Sequence, residues 1–114
     1  MSQIEVLNQL PEEIASKTIS PHEIVLPRSE ALLAIDLIEK MGLQISGWEG
    51  WVCDSSGRVG HGSAPQGTAD LTSLSVADAA EFCRKTIPVD GDAWNAEHVN
   101  SDNALFFCIT VHTG

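Results

Sequence analysis

LQISGWEGWVC, Leu43 to Cys53, is the stretch on which the fold turns. Apolar and polar residues alternate loosely along it, as they do in a strand with one face on a core. DSSG, Asp54 to Gly57, follows as a turn with Asp leading and Gly closing, so Arg58 to His61 return antiparallel. Pairing Cys53 with Arg58 places Trp51 across from Gly60 and Gly50 across from His61, and an aromatic ring over a strand glycine is stabilising. Trp51 is therefore expected in the core. Strict alternation puts Leu43, Ile45, Glu49, Trp51 and Cys53 on one face and Trp48 with Val52 on the other. Glu49 then points with the apolar set, where an unpaired carboxylate is strongly destabilising. Either a bulge at Gly47 or Gly50 turns it outward, or it stands at the sheet's edge and is used. Trp48 is left open between core and surface.

Upstream, Ser29 to Gly42 has the period of a helix. Leu32, Ile35, Ile38 and Met41 recur at three-residue steps beside Ala31, Ala34 and Leu37; Ser29 serves as N-cap, Lys40 stands near the end and Gly42 just past it. Residues 1–28 are broken by Pro11, Pro21 and Pro27 and read as an arm or short helices, with His22 to Leu26 a short edge strand. Downstream, Gly62 to Ser73 is a long loop of small residues, a kind that often carries binding function, and leads into a short extended piece at Asp70 to Leu74. A second helix opens at Ser75, with Asp78 in the capping-box position and a stripe of Val76, Ala79, Ala80 and Cys83 beside Phe82. Pro88 is expected to stop it. Asp90 to Asn103 is then an acidic connection holding Trp94, with one helical turn at Ala93 to His98. Ala104 to His112 is a central strand, apolar on both faces. Together these define one α+β domain over residues 1–114, with residues 29–114 as its core. A mainly antiparallel sheet of three to five strands carries two main helices packed on one face.

With 43% hydrophobic and 19% charged residues, 114 residues can form a single core without metal or disulfide support. The longest apolar run, Ala104 to Ile109, is too short to span a bilayer. The acidic N-terminus MSQIEVLNQLPEE lacks the basic and apolar regions of a signal peptide, so a cytoplasmic location is expected. Cys53, Cys83 and Cys108 are odd in number and widely spaced, which predicts free thiols. Sixteen acids against six bases give a net charge of −10, and no base follows Lys85, whereas Asp90, Asp92, Glu97 and Asp102 do. Such a field repels nucleic acid and anionic membranes and attracts basic proteins. Solubility alone is the other account of it.

No nucleophile elbow, phosphate loop or paired metal-binding histidines can be read in the sequence; His22, His61, His98 and His112 are scattered. Asp90 to Ser101 begins like a calcium loop but has Asn95 where Gly is required and Ser101 where a bidentate Glu belongs, so neither metal nor cofactor is expected. A protein-binding surface remains. Tryptophan is enriched at interaction hot spots, and Trp48 or Trp94 exposed among acids suits a basic partner. The same residues also serve as large core anchors.

The run LPRSEALLAIDLIEKMGLQISGWEGWV, with DSSGRVGHG, QGTADL and the apolar C-terminal strand, resembles a group of small bacterial immunity proteins of polymorphic toxin systems. The likeness covers Val25 to His112, and GWEGW is its most distinctive part. It implies a cytoplasmic toxin inhibitor that binds one cognate toxin domain, and it brings no catalytic residues with it. The expected mechanism is occlusion of a basic toxin surface by Glu49, Asp90, Asp92 and Glu97, helped by Trp48 and Trp94. These six are chosen for charge and expected exposure, not from the family. Two other classes fit the residues: a small enzyme or ligand-binding domain with Glu49 and His61 in a cleft, and an oligomer with Trp48 and Val52 on a homodimer face.

Overall fold

Strand β2 (Ile45–Cys53) resolves the alternation with a bulge. In the computed structural model, which describes residues 2–62, 64–67 and 69–112, Ile45 pairs with Val111 but Gly47 pairs with Thr110. Ser46 is thus the extra residue, and two positions of β2 answer one of its neighbour. Past it, Trp48 lands on the face of Ile45, while Glu49, Trp51 and Cys53 turn to the other. The bulge expected at Gly47 or Gly50 lies at Ser46, beside the first of these; it turns Trp51, expected in the core, to the other face and puts Trp48, which the sequence leaves open, inside.

The neighbour is β5 (Ala104–Val111), which lies between β2 and β1 (Ile24–Leu26), the central place its two apolar faces call for. Along the far edge of β2 run β3 (Val59–Gly60) and then β4 (Gln66–Gly67), joined through the Gly50 N–H, which donates to the Pro65 carbonyl. Among the described residues this makes an antiparallel sheet of five strands in an α+β fold. The β2–β3 turn is one residue longer than predicted: Cys53 pairs with Val59 and Val52 with Gly60. The cause is Asp54, whose Oδ1 accepts from the N–H groups of both Ser56 and Arg58 and so draws Arg58 into the turn. Trp51 therefore does not lie over Gly60. In the following loop, Ser63 and Thr68 lie outside the described residues; Asp70 to Leu74 is a turn rather than an extended piece, with Asp70 Oδ1 accepting from the Thr72 N–H.

Four helices accompany the sheet among the described residues: α1 (Gln3–Gln9), α2 (Glu12–Ala15), α3 (Arg28–Lys40) and α4 (Val76–Glu97). Helix α3 starts directly after Pro27, its cap two residues ahead of the predicted Ser29, and Ser29 instead donates to Glu30. It ends as its sequence predicts. Gly42, at φ +75°, donates to the Glu39 carbonyl and Leu43 to that of Ile38, a complete Schellman closure. Helix α4 is capped by Ser75, which accepts from the Asp78 N–H, but it runs through Pro88 to Glu97. A proline in a helix interior costs about 3 kcal/mol. Burying Ile87 and Trp94 beyond the first half of the stripe offsets this, at about 1.5–3 kcal/mol per large side chain. The acidic connection expected from Asp90 onward is therefore helical as far as Glu97.

Helices α3 and α4 cover the inner face of the sheet, where Ile24, Leu26, Ile45, Trp48, Phe107 and Ile109 meet Ala31, Ile35, Ile38, Ala80, Cys83 and Ile87. Trp48 is only 3% exposed. Its indole N–H donates to Thr86 Oγ1 on α4 at 2.9 Å, and its ring meets Phe107 edge-on at 5.5 Å. Val6, Leu7, Leu10 and Ile14 of the N-terminal segment join the same core, so its described residues form short packed helices rather than a loose arm. Arg84 ties the helices together with bonds to Asp36 and Glu39 of α3 and Glu81 of its own helix, and Arg28 pairs with Asp92. The edge of β1 is not free either, since Thr18 and Ile19 bond back onto both polar groups of Val25.

Candidate functional site

The six residues expected to grip a partner do not share one surface. Trp48 is in the core under α4, which also removes it and the homodimer face proposed around it from solvent. Trp94 is 5% exposed, because it completes the inward stripe of α4 instead of standing in a loop. Asp92 is exposed but engaged with Arg28 at 2.8 Å. Asp90 and Glu97, with the edge of Trp94 and Pro65, line a cleft of about 180 Å³ beside α4. Glu49 lies on the opposite side of the sheet, on the outer face that neither α3 nor α4 covers.

Strand pairing builds that outer face. Cys108 of β5 stands opposite both Val25 of β1 and Glu49 of β2, and Trp51 stands opposite Phe106. Val25 and Cys108 are buried there, outside the main core, whereas Glu49, Trp51 and Phe106 are half-exposed. The Trp51 indole N–H donates to Glu49 Oε1 at 3.2 Å, and its ring meets the His61 ring edge-on at 5.8 Å. Glu49 and His61 are thus linked through Trp51. Across β5, the Cys108 thiol donates to Glu23 Oε2 at 3.5 Å. Burial first, then Glu23 and Glu49, push this thiol far above its ordinary range, so it stays protonated and keeps its role as donor.

Two openings flank this arrangement, of about 350 and 160 Å³, and Glu49 and Thr110 line both. The larger runs toward Gly47 and Gln66, the smaller toward Gln3 and Glu23. Glu23 was not singled out by sequence. Its only local signal is that it shares the parity of Val25 on a short strand, and its nearness to Glu49 arises from the long-range order β1–β5–β2.

Among the described residues, no group of three His, Cys, Asp or Glu side chains could hold a metal ion, and no helix is long and apolar enough to cross a membrane. Cys83 is buried under the helices with its thiol pushed up to about 11 by desolvation, which suits a core residue and not a nucleophile. What the outer face offers chemically is a pair of carboxylates, a half-exposed indole and a floor of strand backbone. Comparison with protein-family models, curated proteins and solved structures finds no match for the chain.

Proposed function

We propose that the protein is a cytoplasmic immunity protein that neutralises a cognate bacterial toxin domain by docking its outer sheet face on a basic surface of the toxin. One observation carries the proposal: the half-exposed Trp51 is clasped to Glu49 on the sheet face that neither α3 nor α4 covers, in a molecule of net charge −10. A rigid indole beside an oriented carboxylate is the composition of an interface hot spot. The surrounding negative field speeds encounter with a cationic partner, and the desolvated contact then slows its release. Asp90 and Glu97, on the other side of the sheet, add to the field rather than to the contact. The resemblance of Val25 to His112 to immunity proteins supports the same reading.

The test is co-expression with the C-terminal domain encoded by the gene immediately upstream. Growth rescue and a copurifying complex are expected, with Trp51→Ala weakening the complex by about 2 kcal/mol or more. Toxicity without rescue, or a complex indifferent to Trp51→Ala, would count against the proposal.

A further inference from the structure

We infer that the open sheet face recognises an arginine of its protein partner, the guanidinium entering the cleft between Glu23 and Glu49 and the flanking residues packing on Trp51. The inference rests on the outer face being the partner-binding surface and adds what that surface grips. Each carboxylate has one oxygen engaged by a neutral donor: Oε1 of Glu49 by the Trp51 indole and Oε2 of Glu23 by the Cys108 thiol. Among the described residues, Oε2 of Glu49 and Oε1 of Glu23 accept no hydrogen bond. Among the described residues neither carboxylate has an ion-pair partner: the salt bridges there all belong to Arg28 and Arg84.

Both carboxylates line a cleft of about 160 Å³, room for a single side-chain head group, and each keeps one oxygen open. A planar guanidinium donates to two separate acceptors at once, whereas an ammonium is a point charge without that fork. The cationic occupant follows from the charge of the cleft and of the whole molecule, which also turns away nucleic acid and anionic lipid. Trp51 neighbours Glu49 along β2 and gives the flanking polypeptide a flat apolar surface.

The probe is the peptide Ac-Gly-Arg-Gly-NH2, titrated to millimolar concentration into the full chain while the Trp51 indole N–H is followed by NMR. Its lysine and citrulline counterparts serve as controls. The arginine peptide should shift that resonance, the lysine peptide should bind several-fold more weakly, and the citrulline peptide should leave it unmoved. Glu23→Gln and Glu49→Gln should each weaken the arginine peptide about tenfold, since glutamine keeps the oxygen that accepts from Cys108 or Trp51 but loses the charge. No response to the arginine peptide, equal response to lysine, or indifference to both substitutions overturns the site. Co-expression separates this from the parent proposal. Rescue without peptide binding removes the arginine site and leaves immunity standing, while peptide binding without rescue does the reverse.

Discussion

At the residue scale, Gly67 and Gly60 are both strand glycines beside β2, yet they answer to different constraints. A Cβ on Gly67 would come within 2.6 Å of the Trp48 ring, whereas one on Gly60 would meet nothing within 4 Å. Gly67→Ala should therefore destabilise the fold by about 1–3 kcal/mol, the usual penalty for overpacking. Gly60→Ala should stay within about 0.5 kcal/mol of the parent. Urea unfolding followed by tryptophan fluorescence measures both. The reverse order would restore the register in which Trp51 lies over Gly60. The same contrast shows what local pattern left undecided: GWEGW announces large residues next to glycines, but not which glycine receives which ring.

At the element scale, α4 is the case where local signals misled. Ala80, Cys83, Ile87, Gly91 and Trp94 continue one helical stripe in the sequence, yet Pro88 reads as a breaker. Tertiary burial of the second half overrides it. Pro88→Ala should then stabilise the protein by about 1–2 kcal/mol, the helix-interior penalty less the restriction that proline places on the unfolded chain. A loss of stability instead would mean that a bend at Pro88 is needed to seat Trp94. By contrast α3, its Gly42 closure and the central β5 were legible from periodicity and end residues alone. Glu23 was not, because the adjacency of β1 and β5 is a long-range pairing that no window of sequence encodes.

At the scale of the whole molecule, charge is distributed unevenly in its consequences. Arg84 and Arg28 together engage four carboxylates, and the remaining excess of acids is left to repel itself. Salt screens that repulsion and weakens the exposed bridges as well, but bridges of this kind contribute at most about 1 kcal/mol each. Self-repulsion should win. The midpoint of thermal unfolding should rise by a few degrees between roughly 10 and 300 mM sodium chloride. A fall would show that the clamp between α3 and α4 outweighs the net charge.

The bulge at Ser46 also bears on how such sequences are compared. A strand has a reading frame of two, and the bulge is a frameshift within it. Pair the same residues without the bulge, and the tryptophans exchange roles: Trp48 turns to the outer face, and Glu49 is driven under the helices. A chain could keep every letter of GWEGW and still turn the other tryptophan outward. In any relative of this protein, whether the strand bulges after Ile45 therefore says more about which tryptophan faces outward than the tryptophans do.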